Sequence, residues 1–169
     1  MEENLDRKID LKEKAILFLK ENKFKMFAFL GILIIFLFIF LFLQIKEREK
    51  NNLNSEKYIQ AGIYLTSNDL EMSKEIYVEI IKNKSKFYSI LALNAIVEKK
   101  LENDKNKVLD YFSIVENITN SSEQKDLLIF KKALFLMENS EVEKGKRLLK
   151  QLSENNSKIK PLADEVLEN

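Results

Sequence analysis

A run of 18 residues from Met26 to Leu43, MFAFLGILIIFLFIFLFL, contains no charge and no hydrogen-bonding side chain. As a helix rising ~1.5 Å per residue it covers about 27 Å, close to the roughly 30 Å hydrocarbon core of a bilayer. Ile45 extends it slightly. A helix buried in a small soluble domain keeps a polar stripe, and this one has none. It also lacks a GxxxG face for tight helix pairing. The run therefore reads as a membrane span over 26–45. A cleaved signal peptide does not fit, because a signal h-region is typically ~7–15 residues long and ends at a small-x-small site. The run leads instead into Gln44-Ile45-Lys46-Glu47-Arg48-Glu49-Lys50, so the segment is expected to persist as an anchor.

Orientation follows from the flanks. Residues 11–25 hold Lys12, Lys14, Lys20, Lys23 and Lys25, against Lys46, Arg48, Lys50 and Lys57 in residues 44–58. Five against four favours an amino terminus inside, and long carboxyl-terminal domains translocate largely regardless of charge. Lys20, Lys23 and Lys25 mark the headgroup boundary, where they meet anionic membrane lipid. The organisation expected is a cytoplasmic segment over 1–25, a span over 26–45, a charged helical stalk over 46–57 and a helical domain over 58–169.

Composition removes most chemistry. The chain has no His and no Cys, which excludes a Ser-His-Asp or Cys-His nucleophile, a His/Cys zinc site and any disulfide. The lack of Cys is compatible with an oxidising compartment. Lys and Arg number 28 against 27 acidic residues, so there is no nucleic-acid footprint. Glu138, Glu141 and Glu143 lack the spaced Asp/Asn and Gly of a calcium loop and read as a solvated helix face. Nothing in the sequence places two carboxylates in a cleft for acid-base work. The expectation is a non-enzyme with no metal, cofactor or small-molecule substrate. With 3 Gly, 1 Pro and 33% charged residues, the remainder should be helical.

Residues 51–169 are nearly neutral, with 18 basic and 19 acidic residues, and they repeat. Turns at Asn68-Asp69, Asn103-Asp104 and Ser140-Glu141 are 35 and 37 residues apart, near the period of a 34-residue helix-turn-helix repeat. Aligning the segments on these turns puts Tyr77, Phe112 and Leu149 in one apolar column and Ile80, Val115 and Leu152 in another. Ser73, Val108 and Gly145 form a third column, and Ala61, Ile96 and Ala133 a fourth. These last two are mostly small, as helices crossing closely require. Tyr64, Tyr77 and Phe112 read as core. The spacing predicts helices over 53–66, 70–83, 86–101, 105–117, 123–138 and 141–154, then a short helix from near Pro161 through Leu162, Val166 and Leu167. A helix pair cannot bury its apolar face alone, so three stacked pairs and a cap make one minimal domain.

The pattern resembles a tetratricopeptide repeat, best in Ile63-Tyr64-Leu65-Thr66-Ser67-Asn68-Asp69-Leu70. It departs where Lys57, Ala92 and Ile129 stand for the usual Trp, and where Ser85, Asn120 and Ser157 stand for the closing Pro. Lys99 replaces an expected aromatic or leucine. The fold class implied is all-α, one transmembrane helix followed by a tetratricopeptide-repeat-like solenoid of about three degenerate repeats and a short C-terminal helix. The first helix of each pair would then line a concave groove. Counting back from the turns gives partner-groove candidates Tyr58 and Leu65, Leu93 and Val97, and Leu127, Phe130, Leu134 and Met137. Either the groove receives an apolar segment of a partner, or the chain covers it with its final helix or stalk.

Taken together, Phe18-Leu19-Lys20-Glu21-Asn22, one span, a Lys/Glu stalk, three repeats and the closing Lys160-Pro161-Leu162-Ala163-Asp164-Glu165 resemble the YfgM family. Asp126-Leu127-Leu128-Ile129-Phe130-Lys131-Lys132-Ala133-Leu134-Phe135-Leu136 is similar to its third repeat. The resemblance implies an ancillary subunit of the bacterial SecYEG translocon, single-pass in the inner membrane with its domain in the periplasm. Implied partners are translocon subunits, periplasmic chaperones and exported chains. A cell-envelope scaffold for division or outer-membrane assembly would use the same parts.

Overall fold

The computed structural model describes residues 22–155 and 157–168; the expectations for 1–21, including Phe18 to Glu21 and Lys20, lie outside the described residues. Among these are seven helices and no strand. They are α1 (Lys23–Thr66), α2 (Leu70–Lys82), α3 (Tyr88–Glu98), α4 (Lys105–Ile118), α5 (Ser122–Glu138), α6 (Val142–Glu154) and α7 (Lys160–Glu168). The chain divides into two compact units, Met1–Glu49 and Lys50–Asn169.

In the first unit the described residues form the leading part of α1, which is long and apolar enough to cross a membrane by length and composition. Its Phe, Leu and Ile side chains from Phe27 to Leu43 are all exposed. Lys46 Nζ sits 5.2 Å from the centre of the Phe42 ring, a cation held against the last aromatic of the run.

The second unit is built from antiparallel helix pairs. The α1 segment from Lys50 onward pairs with α2: Asn83 Nδ2 donates to Asn54 Oδ1 at 3.1 Å, Lys57 pairs with Glu79, and the Tyr58 and Tyr77 ring centres are 5.4 Å apart. Asn54 is fully buried and also donates to its own helix at Lys50 O, 2.8 Å away. Within the 46–57 stretch expected as a stalk, Asn51, Asn54 and Lys57 thus face α2 and the turn that follows it, while Lys50, Asn52 and Glu56 are exposed. Further along, α2 packs on α3 and α4, α3 on α4, α4 on α5, α5 on α6, and α6 on α7.

The residues of the four apolar columns are buried. Of the twelve column residues, the eleven with side chains are at most 2% exposed, and Gly145 is buried. A Cβ on Gly145 would lie 2.6 Å from the Ala133 carbonyl oxygen and 2.4 Å from Met137 Cγ, so α5 and α6 touch backbone to backbone at the small pair. The apolar core falls into two clusters, one around Tyr77, Ile80, Leu93, Phe112 and Val115, the other around Ala133, Leu149, Leu152 and Ala163.

Turn chemistry explains the boundaries. Asn68, Lys100 and Ser140 adopt positive φ at 61°, 51° and 65°. After each, an N–H reaches back five residues: Asp69 to Tyr64 O, Leu101 to Ile96 O and Glu141 to Leu136 O, at 2.9, 3.0 and 2.9 Å. Such left-handed caps satisfy the orphan carbonyls that end a helix. Asp69, Asp104 and Ser121 then accept from Met72 N, Asn106 N and Gln124 N and start the next helices. In the second pair the left-handed residue is Lys100 while the N-cap is Asp104, so Leu101, Glu102 and Asn103 intervene. Helix α3 therefore ends at Glu98 rather than 101, and its register is displaced by three residues from the sequence alignment.

Candidate functional site

Helices α3 and α5 are bridged where Lys131 Nζ donates to Asn94 Oδ1 at 2.8 Å and lies 3.5 Å from Glu98 Oε1. Beside this bridge opens a cleft of about 280 Å³. Val97, Leu134, Phe112 and Phe135 line it together with Asn94, Glu98, Lys100, Lys131 and Glu138. The Phe112 and Phe135 ring centres stand 6.0 Å apart, tilted at 44°. Apolar side chains thus alternate with cationic, anionic and amide groups, an arrangement suited to binding a side chain of another molecule. A smaller recess of about 170 Å³ continues past Val97 and Phe135 to Glu102, Asn103 and Lys105.

Two of the groove residues expected from sequence, Val97 and Leu134, meet in this cleft. Phe130 and Met137 are half-buried against the second core cluster, and Met137 lies against Gly145 of α6. Leu127 is exposed on α5. Tyr58 and Leu65 are half-buried on the first cluster, where Tyr58 also stands 6.2 Å from the Tyr88 ring. Leu93 is 1% exposed and is core, which corrects its placement on an open face. The three-residue insertion at 101–103 is the reason: counted back from Lys100 rather than Asn103, Leu93 takes the position of Ala61 and Ala133, and Asn94 takes the groove position. Lys99 at a position wanting an apolar residue was the sequence sign of this slip. The final helix packs on α6, with Ala163 buried beside Leu149 and Leu152.

Charge is arranged mainly as ties between elements. Glu141, at the start of α6, pairs with Lys105 of α4 and with Lys144, and their hydrogen bonds hold its carboxyl down to about 2. Glu123 is likewise held at about 2 by Lys158, by its own backbone N–H and by the Ser121 hydroxyl. Lys132 reaches Glu116 at 3.0 Å, joining α5 to α4. No group of acidic side chains able to hold a metal ion occurs among the described residues. No protein family, curated protein or solved structure matches this chain.

Proposed function

We propose that this chain is a single-pass protein of a bacterial inner membrane, anchored by residues 26–45, whose periplasmic tetratricopeptide-like domain binds other proteins. By the resemblance to the YfgM family, the reading extends to an accessory subunit of the Sec translocon working with periplasmic chaperones and exported chains. The supporting observation is the cleft between α3 and α5, where Val97 and Leu134 meet Phe112 and Phe135 among the polar groups of Asn94, Glu98, Lys100, Lys131 and Glu138. Helical repeat domains bind partners on extended concave surfaces, and apolar side chains left accessible there mark such contacts.

Affinity purification of the tagged full chain from mildly solubilised membranes tests the proposal. Co-elution of translocon subunits is expected, and its loss in Leu134→Ser with helicity retained would assign it to the cleft. Co-elution of division or outer-membrane assembly proteins instead would move the function to an envelope scaffold. If Leu134→Ser unfolds the domain, that side chain is core and the cleft assignment falls.

A further inference from the structure

The turn between α2 and α3 concentrates one sign of charge. Lys82, Lys84 and Lys86 are all exposed, no acidic residue stands between Lys82 and Phe87, and Phe87 is 59% exposed. In a domain with 18 basic and 19 acidic residues in all, this is a local charge of +3 next to an apolar ring. The turn is also held in place: Ser85 Oγ donates to Asn51 Oδ1 at 3.0 Å, and Asn83 Nδ2 to Asn54 Oδ1 at 3.1 Å. Phe87 stacks edge-on against Tyr88, ring centres 5.1 Å apart.

Asn51 is six residues from Ile45, where the apolar run ends. Six residues span about 9 Å as helix and at most about 20 Å fully extended. The headgroup layer on each side of a bilayer is itself roughly 5–7 Å thick, and surface potential reaches about one Debye length, ~8 Å, beyond it. Residues 45–51 are helical within α1, and at the helical ~9 Å this connection holds the lysine turn within reach of the headgroups. The turns at the other end of the helix pairs carry a different balance. Asp69 with Glu71 and Glu141 with Glu143 are acidic, while the turn at 99–104 is mixed.

We infer that Lys82, Lys84, Lys86 and Phe87 form a membrane-contact site that docks the domain on the anionic headgroups of the bilayer its own helix crosses. The ammonium groups meet lipid phosphates and the Phe87 ring enters the interfacial layer, the arrangement by which basic and aromatic side chains together bind a lipid surface. This rests on the reading of residues 26–45 as a span.

The absence of native cysteine makes the test direct. A single cysteine is placed by Phe87→Cys, Ser140→Cys or Phe36→Cys in the full chain and given an apolar aromatic, environment-sensitive fluorophore, which at position 87 takes the place of the ring. The chain is reconstituted into phosphatidylcholine vesicles with or without phosphatidylglycerol, with a quencher attached to the lipid headgroups or acyl chains. The label at 87 should be quenched by the headgroup quencher in the anionic vesicles, the label at 140 should not, and the label at 36 should respond to the acyl-chain quencher in both. In the Phe87→Cys chain, each lysine replaced by Gln should lower the docked-to-free ratio about fivefold, so that the triple variant behaves like the zwitterionic case. Equal, weak quenching at 87 and 140 with the label at 36 quenched would overturn the docking site alone. An unquenched label at 36 would overturn the span and the docking site with it.

Discussion

Replacing Gly145 by Ala tests the helix crossing on which the repeat register depends. Inside an ordinary helix this change stabilises, because Ala is favoured over Gly by about 1 kcal/mol. Here the new Cβ would lie 2.6 Å from the Ala133 carbonyl oxygen and 2.4 Å from Met137 Cγ. The methionine can swing aside. The carbonyl belongs to the α5 backbone and cannot, so α5 and α6 must separate along a buried seam that includes Leu149 and Leu152. Overpacking of this kind costs typically ~1–3 kcal/mol, which cancels or outweighs the propensity gain and leaves a net loss of up to about 2 kcal/mol. Gly62 supplies the control, since nothing lies within 4 Å of its added Cβ. Gly62→Ala should therefore stabilise by about 0.5–1 kcal/mol. Urea unfolding of the full chain in detergent micelles, followed by circular dichroism, gives both signs in one experiment. Stabilisation by Gly145→Ala equal to that by Gly62→Ala would refute the close crossing and with it the pairing of the small columns.

Phe112→Ala removes a ring that is 1% exposed and faces Phe135, and should cost about 3–5 kcal/mol in the same unfolding assay; an unchanged midpoint would take Phe112 out of the core. Acid should destabilise through Glu141 and Glu123, whose carboxyls are held at about 2 against an ordinary 4.5. A lowered folded value stabilises above the ordinary value, so stability should hold as pH falls to about 4.5 and drop from there toward 2, with the drop smaller in Glu141→Gln; equal drops in both proteins would contradict the Lys105–Glu141 tie. Residues 50–169 alone should give a cooperatively melting helical protein, since both core clusters lie within them, and a disordered spectrum would refute the autonomy of this unit.

How far the sequence carried depended on whether local chemistry and packing agreed. The apolar run and the residues of the apolar columns were readable because burial imposes a period of its own, and each of them from Ala61 to Leu152 is buried, although Leu93 rather than Ile96 stands with Ala61 and Ala133. Boundaries were readable where cap and turn residues coincide, as at Asn68-Asp69. They failed in the second pair, where Lys100 closes α3 by a left-handed cap that any residue type can be made to adopt at a modest cost, and the N-cap follows only at Asp104. That slip displaced Leu93 into the candidate groove and hid Asn94. The Lys131 bridge and the Phe135 wall also escaped, because they depend on how two sequence-distant helices lie beside one another. The clamp from Asn83 and Ser85 onto residues 51 and 54 escaped for the same reason, its partners being 29 and 34 positions apart.

Both the proposed function and the docking site depend on residues 26–45 acting as an uncleaved anchor that carries the helical domain across the membrane. The most direct measurement fuses, after Asn169, a reporter active only in the periplasm or one active only in the cytoplasm, in a bacterium with two membranes, and tracks both activity and membrane association. The periplasmic reporter should be active and should sediment with the membranes at the full fusion length. Activity of the cytoplasmic reporter, or a shortened periplasmic fusion released in soluble form, would contradict the anchor and its orientation.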